Sequence, residues 1–289
     1  MIIDKINKYL SESNSTVNEH LRYEVERLAG FAFRRQFMDT YENKPGVLRL
    51  SSAGKCPRSL AYKFHDYEKK GKEMDSRSKI IFFQGDLVEL MMMNLAKLAG
   101  VGVVGTGLNQ IAVFLPIVMS ADKTVLVEGH PDGYIIDAGA RLLECKSMAS
   151  YAYERFENGE VDPGYRAQIN TYLEGSGLEE CVLVAMNKDN GVLGETIIKK
   201  DPAIITAVKA EFKSVLLSTK EELPEPPKDL ACDEKGIYPW NCLYCAYWGW
   251  CRTNAEKVLV GRSYKLKEKG VEKPAVAKKV VKKDPEPRM

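Results

Sequence analysis

The sequence predicts an α/β fold in which helices and strands are interleaved along one chain. Three observations point that way. Short apolar runs bounded by turn residues, at 110–118, 124–128, 134–136, 142–143, 181–187 and 192–199, read as strands. Among them lie long segments with helical patterning, at 78–98, 163–174 and 202–220. Two of these helices open with Asp-Pro, a capping residue followed by proline at the first helical position. With 289 residues, 45% hydrophobic and 28% charged, the chain has the composition of an ordinary soluble globular protein and enough length for a full core.

Taken in order, residues 1–49 are mostly helical, and 17–38 form an amphipathic helix with Leu21, Val25, Leu28 and Phe31 at helical spacing. Arg22, Arg34 and Arg35 on it are either a solvated face or contacts to a phosphate backbone. Ser51 or Ser52 caps the next helix, which holds Leu60 and Tyr62. Residues 78–98 make a strong helix closed by Gly100. Glu89 interrupts its apolar stretch, and is either an exposed edge residue or a buried acid that needs a partner. Residues 120–123 turn between the first two strands. After the central hairpin, the helix opened by Asp162-Pro163 places Gln168 and Tyr172 at i and i+4, on one face. Residues 181–187 and 192–199 flank Asp-Asn-Gly as a second hairpin, and Asp201-Pro202 opens the last long helix. Three prolines within 222–228 form a stiff linker.

The central hairpin carries the first chemical signal. Residues 134–136 meet 142–143 across Asp137-Ala138-Gly139, and glycine in third place suits a turn position with positive φ. Centred on Ala138, the register pairs 136 with 140, 134 with 142 and 132 with 144. Asp132 and Glu144 then face each other at roughly 4.5–5.5 Å between Cα atoms. Lys146 falls on the face of Glu144, and Cys145 on the opposite one. Such a patch is either a cross-strand salt bridge on a surface hairpin or two carboxylates gathered around a hard divalent cation.

Cysteine carries the second signal. Cys242, Cys245 and Cys251 fall within ten residues, wrapped in aromatics. Thiolates at short spacing can be aimed at one centre, and Cys56, otherwise a small buried hydrophobe, can be the fourth. The residues leave an iron–sulfur cluster, zinc and unligated thiols open; Cys145 and Cys181 read as buried apolar residues. No secretory signal and no 18-residue apolar run is present, so a cytoplasmic location is expected and disulfides are not. The net charge of +2 hides an asymmetry: from Arg262 onward eight Lys and two Arg stand against four acids. That tail lacks a core pattern and reads as disordered, either a non-specific nucleic-acid tether or an aid to solubility.

These residues resemble a known family. Gly129-His130-Pro131-Asp132-Gly133, followed twelve residues after the aspartate by Glu144-Cys145-Lys146, is similar to the core of the PD-(D/E)XK nuclease superfamily. In its RecB-like branch a helix with Gly-x3-His/Glu supplies a further metal ligand, and Gly85-x3-Glu89 matches, with Glu where many members carry His. Gln168-x3-Tyr172 matches a further RecB-like motif that lines the DNA path. A lone cysteine followed by C-x2-C-x5-C is the arrangement of members that hold a four-iron, four-sulfur (4Fe-4S) cluster, including CRISPR-associated exonucleases and phage and archaeal relatives.

The resemblance spans roughly residues 50–251. It implies a restriction-endonuclease-like core, a mixed central sheet flanked by helices, at 78–222. A helical arm (1–49) and a first cluster-ligand segment (50–77) precede it; a Cys-rich segment (223–261) and the tail (262–289) follow. It implies Mg²⁺ or Mn²⁺ on Glu89, Asp132, Glu144 and the carbonyl of Cys145, with Asp132, Glu144 and Lys146 catalytic. A 4Fe-4S cluster on Cys56, Cys242, Cys245 and Cys251 would join the two arms. Gln168 and Tyr172 would contact DNA. Tyr165 and Arg166 are weaker candidates, and His130 is either a phosphate contact or a turn residue. The expected activity is a DNA exonuclease acting on single-stranded ends in recombination, repair, phage DNA processing or CRISPR adaptation. The alternatives are a DNA clamp or adaptor subunit of a spacer-acquisition or recombination complex, and a zinc module that recruits a protein partner.

Overall fold

The computed structural model describes residues 1–12, 19–38, 45–69, 76–137, 139–261 and 263–270. The described chain divides into two compact units, one of Met1–Tyr67 with Glu73–Glu225 and one of Glu68–Lys72 with Pro226–Met289.

The first unit is built on a five-stranded mixed sheet. Its strands are β1 (Val103–Val104), β4 (Gly133–Ile135), β5 (Arg141–Met148), β6 (Glu180–Asn187) and β7 (Leu193–Lys199), in that order across the sheet. All neighbours are antiparallel except β5 and β6, which run parallel because a long connection separates them. That connection holds helices α5 (Ser150–Glu157) and α6 (Pro163–Ser176). Strands β2 (Val113–Ser120) and β3 (Lys123–Gly129) pair with each other as a separate two-stranded ribbon, and Glu128 of β3 also bridges Arg49.

Alternation along the strands divides the core in two. Leu142 and Met148 of β5, with Cys181, Leu183 and Ala185 of β6, face a cluster built from α6, α7 (Pro202–Leu217), α5, α3 (Pro57–Phe64) and the inner side of the ribbon. Leu143 and Cys145 of β5, with Val182 and Val184 of β6, face α1 (Ile2–Ser11) and α4 (Ser76–Leu98). Helix α1 is fixed at its start by the carboxylate of Glu195 on β7, which accepts from the N–H groups of Ile2 (2.8 Å) and Ile3 (3.1 Å). Helix α2 (Glu19–Phe37) packs along α4.

The hairpin register matches the count made from the sequence, with Tyr134 opposite Leu142. Gly139 has φ +112, as the turn requires; Ala138, the predicted centre, lies outside the described residues. Asp162 caps α6 by accepting from Gly164 N–H at 2.8 Å, and Gly177 closes it in the left-handed conformation. The structure differs from the sequence reading at the third helix, where Cys56 rather than Ser51 or Ser52 stands at the N-cap. Pro57 sets the start there, and Leu50–Ser52 form a 3₁₀ turn upstream. Of the predicted helix at 17–38, residues 17 and 18 lie outside the described residues.

The second unit contains two short helices, α8 (Trp240–Leu243) and α9 (Trp248–Cys251), and a hairpin of β8 (Ala255–Val260) and β9 (Ser263–Glu268). Here the predicted disordered tail needs correction. Its first residues form β9, because Leu266 is fully buried against Tyr238, Cys242 and Ala255. Residues 271–289 lie outside the described residues. No helix among the described residues is long and apolar enough to cross a membrane.

Candidate active site

Strand β5 alternates Leu142, Glu144 and Lys146 toward one face, so an acid and a base are carried into the apolar interior beside α6. Glu144 is 1% exposed. Its Oε1 accepts from Lys146 Nζ at 2.5 Å and from Gln168 Nε2 at 3.2 Å, while Oε2 is buried with no hydrogen-bond partner. An acceptor left bare in the interior costs about 1–3 kcal/mol, more for a charged group, so this atom calls for a ligand. Asp132, just ahead of β4, accepts from Cys145 N–H at 2.8 Å through Oδ2, which ties its loop to β5.

Glu89 comes from α4, and the electrostatics tie it to the other two acids. Burial, then the charges of Asp132 and Glu144, push the Glu89 carboxyl up to about 9, against a pull from Arg35. Burial, then Asp132, pushes Glu144 up to about 7 despite Lys146. Burial raises Asp132 too, opposed by Lys146 and the Cys145 N–H. Lys146 shows the converse. Burial works against its ammonium, but Glu144 and Asp132 outweigh it and hold its pKa above the ordinary value. One lysine thus serves Asp132 and Glu144, Arg35 acts on Glu89, and the surplus negative charge among the acids is what a hard cation would offset.

Gln168 and Tyr172 lie on one face of α6 as the spacing predicts, and Gln168 Nε2 donates to Tyr172 Oη at 3.0 Å as well as to Glu144. Tyr172 corrects the sequence reading, which set it along a DNA path. It is 2% exposed and packed in the core, because its side of α6 faces the sheet. Its hydroxyl holds Gln168 instead of meeting solvent. Tyr165, one turn earlier, puts its ring 5.4 Å from Lys146 Nζ. His130 Nε2 lies 3.3 Å from Glu128 Oε1. Arg35, a candidate phosphate contact from the sequence, pairs with Asp86, as does Gln36 at 3.0 Å, so α2 is pinned to α4 beside Glu89. Asp86 escaped the sequence reading, although its i, i+3 spacing to Glu89 puts both acids on one helix face.

Cys145 and Cys181 are buried apolar residues, as expected. In the second unit, Cys245 N–H donates to Cys242 O at 3.2 Å, and Tyr247 N–H points at Cys245 Sγ at 3.4 Å. Cys56, in the first unit, stands at the N-cap of α3.

No family profile matches the chain, and no curated protein matches it. Solved structures do. The chain is similar to SSO0001, at 18% identity over 78% of this chain and 95% of that one, with a TM-score of 0.47. It is also similar to an alkaline exonuclease, LHK-Exo from Laribacter hongkongensis, at 15% identity over 59% of this chain and 86% of that one, TM-score 0.36. The complex of LHK-Exo with dAMP gives 17% identity, the same coverage and a TM-score of 0.38. Likeness at this level leaves the chemistry to the site itself.

Among the described residues, no group of three or more His, Cys, Asp and Glu side chains is arranged to hold a metal ion as it stands. Asp132 Oδ2 and Glu144 Oε1 are engaged by protein donors instead. The donor set nevertheless fits a divalent cation: three carboxylates with raised pKa values, all oxygen donors, and the bare Oε2 of Glu144.

Proposed function

We propose that the chain is a metal-dependent deoxyribonuclease that hydrolyses phosphodiester bonds, acting as an exonuclease on single-stranded DNA ends. The observation that carries this reading is the bare, buried Oε2 of Glu144 among mutually repelling acids, next to one buried lysine. A purely structural salt bridge would need one acid per lysine. Mg²⁺ or Mn²⁺ held by Asp132, Glu144, Glu89 and the Cys145 carbonyl would polarise a phosphate oxygen and bring the pKa of water toward neutrality.

The chain's own residues do the rest. Lys146 stays protonated across the physiological range and supplies a fixed cation where negative charge grows on the phosphate. Gln168 holds Glu144 in one rotamer, and Tyr172 holds Gln168, so the carboxylate is oriented before substrate arrives. His130, half-buried beyond β3, would contact the phosphate backbone in this reading.

The exonuclease mode, the single-stranded end and a role in recombination, phage DNA processing or CRISPR adaptation rest on the sequence resemblance. So does a 4Fe-4S cluster on Cys56, Cys242, Cys245 and Cys251, and iron and sulfide analysis of anaerobically purified protein tests it. Zinc in their place would overturn it.

The test of activity uses anaerobically purified full-length protein and single-stranded DNA labelled separately at each end, with Mn²⁺, Mg²⁺ or EDTA. The expected result is progressive shortening from one end, abolished by EDTA and by Lys146→Ala. DNA binding without cleavage by the cluster-loaded protein would reject the enzyme reading in favour of a clamp.

A further inference from the structure

Beside the acidic cluster the first unit holds a pocket of about 370 Å³, a size that accepts small organic ligands. Helix α2, helix α4 and the loop between β1 and β2 wall it. The apolar lining comes from Leu28, Phe31, Leu90, Met93 and Leu108. The same pocket is lined by Glu89 and His130, so it shares two residues with the proposed active site. Gly107 lets the loop lie against α2: with φ +62, a Cβ there would come 2.8 Å from Leu28 Cδ2.

One polar side chain in this wall has no structural purpose on view. Asn94 interrupts the apolar stretch of α4 and is 6% exposed. Its Nδ2 donates to Leu90 O at 2.7 Å, which settles the orientation of the amide and leaves Oδ1 buried with no partner. An aliphatic residue would fill the position at no such cost. An acceptor without a donor, in a wall where Phe31 and the leucines stand beside the polar groups of Arg35, Glu89 and His130, is complementary to a flat ring with an N–H on its edge. Every nucleobase offers that combination.

We infer that this pocket receives one unpaired base of the DNA strand, adjacent to the phosphate presented to Asp132, Glu144 and Lys146, with Phe31 against the ring and Asn94 Oδ1 accepting from its edge. The inference rests on the nuclease reading and deepens it by naming the substrate class: a strand whose base is free to leave the stack. Since any base supplies an N–H donor, the pocket selects for unpaired bases with little regard to sequence.

The test uses the full-length wild-type protein with Mn²⁺ and a set of single-stranded oligonucleotides, each with one abasic residue at a successive position from the attacked end. Cleavage should slow roughly tenfold or more when the gap stands next to the scissile phosphate, the scale of one lost base–aromatic contact. Phe31→Ala should slow the intact strand by a similar factor and leave that abasic strand no slower than it is with wild type. Equal rates on all the abasic strands, or a Phe31→Ala loss that is the same on both substrates, would overturn the pocket while the nuclease reading stands. Absence of cleavage of any strand by wild type would overturn both. The wild-type arm stands even if Phe31→Ala fails to fold.

Discussion

Glu144 concentrates the chemistry of this protein at the scale of one residue. Its carboxyl is pushed up to about 7, and that of Glu89 to about 9, from an ordinary 4.5. Acids whose folded pKa is raised bind more protons folded than unfolded, so their contribution to stability is complete below about pH 4.5 and is lost as pH rises through 7 and 9. The metal-free protein should therefore melt at progressively lower temperature from pH 5 to pH 9, and Mn²⁺ should reverse much of that loss. A melting temperature in EDTA that is flat or rises over this range would mean that the acids do not repel one another as described. Glu144→Gln removes the charge and keeps the shape. Without metal it should melt no lower than wild type at pH 8, while cleavage falls by at least ~10²-fold, the loss typical of a removed charge-stabilising group.

At the scale of elements, the hairpin and α6 decide whether those side chains meet. The pairing of Tyr134 with Leu142 was legible because turn length and alternation fix register locally, and so was the cap at Asp162. What stayed hidden was non-local. Spacing put Gln168 and Tyr172 on one face, yet not which way that face turns, so Tyr172 was read as a strand contact when it lies in the core. Likewise β2 and β3 were legible as strands, but not as a ribbon apart from the main sheet, since pairing partners far along the chain leave no local trace. Gln168→Leu should cost little stability and lower kcat far more than it raises KM, because Glu144 loses the donor that orients it. Gly129→Ala, at the end of β3, should act the opposite way. Its Cβ would come 2.6 Å from Leu50 Cβ and Tyr172 Cε1, so it should destabilise by about 1–3 kcal/mol, read as a lower denaturation midpoint.

At the scale of the whole molecule, the chain joins a mixed-sheet unit carrying the acidic cluster to a smaller Cys-rich unit. The acids of the cluster were legible in three short motifs, Gly85-x3-Glu89, Gly129–Gly133 and Glu144–Lys146, whereas the bare Oδ1 of Asn94 was not legible at all, because its lack of a partner depends on the packing of α4. The basic segment that the sequence set apart from Arg262 onward begins with a strand of the smaller unit, Ser263–Glu268. Ending the chain after Gly270 keeps β9, and should preserve both melting and low-salt activity. Ending it at Arg262 removes Leu266 from the core of the smaller unit, and should destabilise that unit by a few kcal/mol. Equal melting of the two truncations would show that β9 contributes nothing.

The central claim is that the acids of β5, α4 and the loop before β4 form a divalent-cation site. Titration calorimetry of Mn²⁺ into the EDTA-stripped protein at pH 7, repeated in two buffers of different ionisation enthalpy, addresses it directly. The site predicts saturable binding with proton release, because Glu89 and part of Glu144 must lose protons, and loss of that binding in the Asp132→Asn, Glu144→Gln double variant. Mn²⁺ binding that the folded double variant retains unchanged, or no binding by the wild type, would contradict it.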